Sequence, residues 1–162
     1  MLFHHLPTSF LLLVLLGIQP WNSNTPACAA QQAEQRQFSE VVLTITNIKG
    51  QSGQLCIAVF DSDEAFRNEK PLLEKKLLRR AHDSSTLILT FPLPPGDYGI
   101  SVLDDADANG RMKYGFAGIP LEGFGLSGYQ QKGFKRPRFG DFSFRHQGGT
   151  STSVEVKMTY FR

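Results

Sequence analysis

Three prolines in five residues, Pro92-Leu93-Pro94-Pro95-Gly96, constrain this chain more than any other feature. Proline fixes φ and lacks a backbone N–H, so the segment cannot continue a helix or a central strand. The glycine that follows accepts the left-handed position of a turn. Both flanks have a two-residue period. Before the prolines, Thr86, Ile88 and Thr90 alternate with Leu87, Leu89 and Phe91; after them, Asp97 to Leu103 reads as a second strand. Val41 to Ile48 is rich in β-branched residues and stops at Lys49-Gly50-Gln51-Ser52-Gly53. Gln54 to Asp61 follows, and the two runs read as an antiparallel pair across that loop. Phe139 to Arg145 reads as a short strand. Ser151 to Phe161 sets Val154, Val156, Met158 and Tyr160 against Glu155, Lys157 and Thr159, a half-buried final strand. About six or seven strands with turns between them predict an all-β fold. The expectation is a single antiparallel β-sandwich of immunoglobulin or transthyretin kind, of about seven strands, over residues 39–162.

Two stretches depart from the strand pattern. Asp63 to Arg80 has a helical flavour: Ser62 or Asp63 can cap one turn, Pro71 breaks it, and Leu72, Leu73, Leu77 and Leu78 suit a short amphipathic helix. This predicts one helical insertion lying over a sheet edge. Ala106 to Phe139 is long and glycine-rich with little periodicity, the mark of a functional loop or an ordered Ω-type excursion.

The N-terminal residues have the composition of a targeting segment. Phe10 to Ile18 is apolar but too short to span a bilayer, which takes about 20 residues, and Ala27-Cys28-Ala29 has small residues where a signal peptidase reads. Residues 1–29 are therefore expected to be a signal peptide and 30–38 a flexible polar arm, leaving a periplasmic or extracellular protein with no transmembrane helix. Cys28 admits a second reading as a lipid-anchored N-terminus, although Thr25 stands where an aliphatic residue is usual. Cys56 would be the sole cysteine of the mature chain, so no internal disulfide forms; within Leu55-Cys56-Ile57-Ala58 it reads as a small buried hydrophobe. The formal charge of +2 is too weak to argue for nucleic acid. The charge is uneven, however. Arg111, Lys113, Lys132, Lys135, Arg136, Arg138 and Arg145 face only Glu122 and Asp141 in their segment, which suits an anionic surface.

Gly123-Phe124-Gly125-Leu126-Ser127-Gly128 matches G-x-G-x-x-G letter for letter, but Pro120-Leu121-Glu122 before it and Tyr129-Gln130-Gln131 after it supply no strand and helix to hold a pyrophosphate. The segment reads as a loop whose Phe116, Phe124 and Tyr129 pack on the sheet. Ser127 lacks the second glycine of a nucleophile elbow, and His82 and His146 lie in polar, loop-like settings. The chemistry-bearing stretch is Asp104 to Gly110. With Asp105 as position one, Asp107 and Asn109 fall at three and five and Gly110 at six, the opening of a calcium loop. Position nine is Lys113 and position twelve Phe116, where oxygen ligands are expected. Asp105, Asp107 and Asn109 are the candidate Ca2+ ligands, against an Asx-rich structural turn.

Four motifs occur in order: Leu93-Pro94-Pro95-Gly96-Asp97-Tyr98-Gly99-Ile100, Asp105 to Gly110, Gly118 to Ser127, and Pro137-Arg138-Phe139-Gly140-Asp141. From about Val41 to its C-terminus the chain resembles the bacterial family known as domain of unknown function 2141. The resemblance implies an exported immunoglobulin- or transthyretin-like β-sandwich with no assigned activity. It also implies His-Asp where this chain has Asp104-Asp105, and an acid where it has Lys113.

These readings converge on an exported, non-catalytic β-sandwich. It is expected to bind a cell-envelope or extracellular partner through the loop 104–139, with Glu122, Phe124, Tyr129, Lys132, Lys135, Arg136 and Arg138 as candidate contacts. One alternative is a carboxylate-dependent hydrolase acting on saccharide, using Asp105 or Asp107 with Glu122. Another is a calcium-stabilised, lipid-anchored envelope protein.

Overall fold

The computed structural model describes residues 38–80, 83–133 and 135–161. The expected signal peptide, Cys28, nearly all of the expected arm and His82 lie outside the described residues. Among the described residues, eight strands form two sheets. They are β1 (Ser39–Thr46), β2 (Gln54–Phe60), β3 (Leu73–Leu78), β4 (Leu87–Leu93), β5 (Gly96–Asp105), β6 (Gly123–Leu126), β7 (Ser143–His146) and β8 (Thr152–Lys157). One sheet has the order β4-β1-β8; the other runs β3-β2-β5-β6, with β7 also on β5. The all-β sandwich read from the strand periodicity is the fold observed.

Its two inner faces carry the residues that alternation assigns to them. Val41, Leu43 and Ile45 of β1 meet Leu55, Ile57 and Val59 of β2, Ile100 and Val102 of β5, and Val154 and Val156 of β8. Each such aliphatic side chain contributes about 1.5–3 kcal/mol when taken fully out of water.

Pairing differs from expectation in two places. β1 and β2 are not partners: they belong to opposite sheets, and the loop between them crosses the sandwich. Gly53 is required in that loop, since it sits at φ 76 and a Cβ would lie 2.1 Å from the Asp105 carbonyl. Two half-buried strands can pair side by side or face one another across a core, and alternation is the same in both cases. The second departure is that β1 and β8 run parallel, Val41 opposite Thr152 through Thr46 opposite Lys157. A parallel pair needs a long connection, and all of β2 to β7 supplies it.

Leu73–Leu78 is an edge strand on β2 rather than an amphipathic helix. Its Glu74, Lys75 and Lys76 charge the free edge and discourage further pairing. The helical insertion is real but shorter: α1 (Asp63–Arg67), where the Ser62 hydroxyl accepts the Ala65 N–H at 3.2 Å. A second helical turn, α2 (Phe139–Phe142), takes the first half of the expected Phe139–Arg145 strand. β4 continues through Pro92, which an edge strand tolerates because the missing N–H leaves no ladder bond unmade.

The glycines of the rejected dinucleotide pattern let the two sheets touch. A Cβ on Gly123 would lie 2.1 Å from Tyr160, and one on Gly125 2.5 Å from Val156. Phe124 exchanges both backbone hydrogen bonds with Thr159, at 3.0 and 2.7 Å, so β6 zips the five-stranded sheet to the end of the three-stranded one. Phe116, expected to pack on the sheet, is 95% exposed instead.

His146 is not in a loop-like setting. It ends β7, fully buried, with Nε2 2.9 Å from the Ser39 hydroxyl and 3.1 Å from the Leu93 carbonyl, and Nδ1 2.8 Å from the Thr152 hydroxyl. The Leu93 carbonyl only accepts, so it sets a proton on Nε2. One imidazole thus ties β7 to β1, β4 and β8. His146→Ala is expected to lower stability by about 2–4 kcal/mol in urea unfolding, the cost of a cavity plus unpaired buried groups. A loss below about 0.5 kcal/mol, the range of ordinary surface changes, would show that the interlock holds nothing.

Candidate functional site

β5 carries the site because its two faces do different work. Ile100, Val102 and Asp104 point into the sandwich; Ser101, Leu103 and Asp105 point outward, opposite Ala58, Cys56 and Gln54 of β2. Asp104 and Asp105 are adjacent in sequence but never share a site. The Asp104 carboxylate accepts the Tyr160 hydroxyl at 2.5 Å and the Gly50 N–H at 2.8 Å. Burial, and then that bond to Asp104, push the Tyr160 phenol well above its ordinary pKa.

Asp105 is completely buried under the loop that follows it. Its Oδ2 accepts the Gly110 N–H at 2.7 Å and the Gln54 amide at 2.7 Å, and its Oδ1 accepts the Asn109 N–H at 3.2 Å. Left-handed Ala108 (φ 56) and Gly110 (φ 78) curl the backbone so that these N–H groups converge on the carboxylate. Burial alone would raise its pKa; the bonds from Gln54, Gly110 and Asn109 outweigh burial and hold it below the ordinary 3.8. The Cys56 thiol lies 3.8 Å away, pushed up to about 11 by burial and then by the Asp105 charge, so it stays protonated and inert.

Glu122 returns to the same place from the far end of the loop. Carboxylate oxygens of Asp105, Asp107 and Glu122 lie within 4.8 Å of one another. Glu122, expected at a binding surface, is instead 6% exposed, and its oxygens accept the Ala106 N–H at 3.0 Å and the Lys113 N–H at 2.9 Å. Asp107 is exposed and faces the Lys113 ammonium at 3.9 Å; the Asn109 side-chain oxygen accepts the Arg111 N–H at 2.7 Å. A cation here would compete with these N–H donors for the same lone pairs. The geometry favours an acidic clasp that closes the loop 105–122 at both ends.

Beyond the clasp, the outer face of the five-stranded sheet forms a groove of about 660 Å³. Ser101, Leu103, Phe124 and Leu126 line it from β5 and β6, and Phe60, Phe66, Met112 and Tyr114 from the elements around them. Exposed Arg111, Lys135 and Arg136 stand at its margin against one acid, Glu69. The Arg136 guanidinium sits 6.0 Å over the Phe66 ring, and Phe66 packs edge-on against Phe60 and Phe142. An apolar trough with a basic margin suits a ligand with an apolar body and negative charge.

A family model described as an uncharacterized protein conserved in bacteria, domain of unknown function 2141 (DUF2141), matches residues 43–155. The chain belongs to this family. The comparisons with curated proteins and with solved structures gave no match. The matched span of this DUF2141 domain runs from β1 into β8 and takes in the clasp and all of the groove lining but Phe161.

Of the residues expected to bind a partner, Phe124, Lys135 and Arg136 line the groove. Tyr129 is half-buried in the turn after β6, and Lys132 and Arg138 are exposed outside the lining. Phe60, Phe66, Arg111, Met112 and Tyr114 also line it. Phe60 and Phe66 carry no sequence signal for this, because they come from another part of the chain.

Asp105→Ala leaves the Gly110 N–H and the Gln54 amide without their acceptor and is expected to cost about 2–4 kcal/mol in urea unfolding at neutral pH. The folded pKa of Asp105 is depressed, so its contribution is complete above the unfolded value near 3.8 and is lost as pH falls through the lower folded value. Asp105→Asn is therefore expected to flatten the acid limb of the stability–pH curve; an acid limb as steep as the wild type's would contradict the clasp. A calcium ion at 100-fold its dissociation constant would add about 2.7 kcal/mol, several degrees in a thermal melt. The expected calcium-minus-chelator shift is none; a reversible shift abolished by Asp107→Ala would assign an ion to the clasp.

Proposed function

We propose that this domain is an exported binding module that captures a cell-envelope or extracellular partner in the groove on the outer face of its five-stranded sheet. The observation that carries the reading is the joining of an apolar trough to three exposed cations on one long loop. A scaffold with a cross-linked core and a loop clasped at both ends can present such a surface without reorganising. The leader-like residues 1–29 support export.

Binding without catalysis is the better reading than saccharide hydrolysis. Glycosidic chemistry needs two carboxyl groups open to a substrate. Asp105 and Glu122 are buried and occupied by N–H donors, and neither they nor Asp107 line the groove.

The test is sedimentation of the purified protein with bacterial envelope fractions. Lys135→Glu with Arg136→Glu is expected to abolish retention while the thermal melt stays close to wild type, as exposed substitutions usually change stability by less than about 0.5 kcal/mol. Retention undiminished in the double variant would refute the groove.

A further inference from the structure

We propose that the partner is an anionic lipid surface, met by the finger formed by residues 113–121 and by the cations beside it; this rests on the binding reading above and names the partner's chemistry. The finger is a short hairpin. The Leu121 N–H donates to the Lys113 carbonyl at 2.8 Å, Tyr114 bridges to Pro120, and the Gly115 N–H donates to the Ile119 carbonyl at 2.8 Å. The reversal at Phe116–Gly118 uses left-handed Ala117 (φ 57) and Gly118 (φ 73). A β-carbon-bearing residue held at positive φ is unfavourable, and here it lets the chain turn within three residues.

The finger carries its apolar side chains outward. Phe116 is 95% exposed, Tyr114 62% and Leu121 57%. Large apolar groups gathered on one projection mark an interaction site more than scattered ones do.

Charge selects the kind of surface. From Ala108 to Gly140 the exposed charged side chains are Arg111, Lys113, Lys132, Lys135, Arg136 and Arg138, all basic. The segment's one acid, Glu122, is buried beneath the finger's base, taken up by the Ala106 and Lys113 N–H groups. The fold has thus buried this segment's acid and left its six cations exposed, with Lys113 facing the exposed Asp107 carboxylate at 3.9 Å. Cations near an anionic bilayer are attracted to it, and aromatic rings settle at the headgroup level. An anionic polysaccharide would satisfy the cations but leave Phe116 and Leu121 in water. A folded protein would need a pocket shaped to the tip, whereas a fluid bilayer needs none.

The experiment is sedimentation of the full chain with phosphatidylglycerol–phosphatidylcholine vesicles and with pure phosphatidylcholine vesicles, for the wild type, Phe116→Ser and Lys132→Glu. Neither substituted residue lines the groove, and the N-terminal residues are common to all three proteins, so they cancel in the comparison. The expected result is stronger retention on the anionic vesicles. Phe116→Ser should lower that retention by about tenfold and Lys132→Glu by roughly fivefold or more, both with unchanged thermal melts. Equal retention on the two vesicle types, or variants equal to the wild type, would overturn the inference. If envelope fractions stripped of lipid still retain the protein, the partner is glycan or protein; the inference then fails while the groove reading stands. If neither fractions nor vesicles retain it, both fail.

Discussion

Everything above the core depends on the two faces of β5 doing different work. One face closes the sandwich through Ile100 and Val102; the other lines the groove with Ser101 and Leu103 and holds Asp105 under a loop. The strand pairs with β2 along one side, and with β7 and β6 placed end to end along the other. That arrangement leaves a break in the ladder between β6 and β7, where backbone groups of β5 would lose their partners. Ser127 fills it. Its N–H donates to the Ile100 carbonyl at 2.9 Å, and its hydroxyl accepts the Ile100 N–H at 2.9 Å and donates to the Phe142 carbonyl at 2.6 Å. A serine that resembles a nucleophile only by composition completes a hydrogen-bond ladder, as a buried hydroxyl must.

The acidic loop works in the same economy of backbone groups. A loop this long over a sheet face has many N–H donors that no strand partner reaches. Asp105 and Glu122 supply the acceptors, one at each end, and the lowered pKa of Asp105 reflects how many donors converge on it. Using the carboxylates inward leaves the cations of residues 111–138 outward. The face so produced is basic and apolar at once, because the aromatic groups of α1, β6 and the finger share it. The surface proposed for binding follows from how the loop is closed.

Strand positions were legible from residue order because a strand with one face buried must alternate, and alternation survives in the sequence. The last strand and the residue after it are the clearest case: Val154, Val156 and Met158 are buried and Glu155 and Lys157 exposed, as their order implies. The turn at Pro94-Pro95 and the cap at Ser62 were equally local. What residue order left open was partnership. Alternation in β1 and β2 does not say that they sit in opposite sheets, and Leu73 and Leu77 do not say whether their segment is a helix or an edge strand.

Site chemistry divides along the same line. The spacing of Asp105, Asp107 and Asn109 marked a loop that holds oxygen atoms together, but it did not say whether those oxygens face an ion or backbone N–H groups. Glu122 reads as a surface acid because a lone Glu among glycines carries no burial signal, and His146 reads as a loop residue because its partners Ser39 and Leu93 lie far away in the chain. By itself, the sequence determined the β class, most strand positions and the charge of the long loop, since each depends on residues near one another in the chain. Only the tertiary structure decided which face each carboxylate serves, which strands pair and where the groove lies. Those depend on long-range packing, in which distant residues compete for the same hydrogen bonds and the same buried volume.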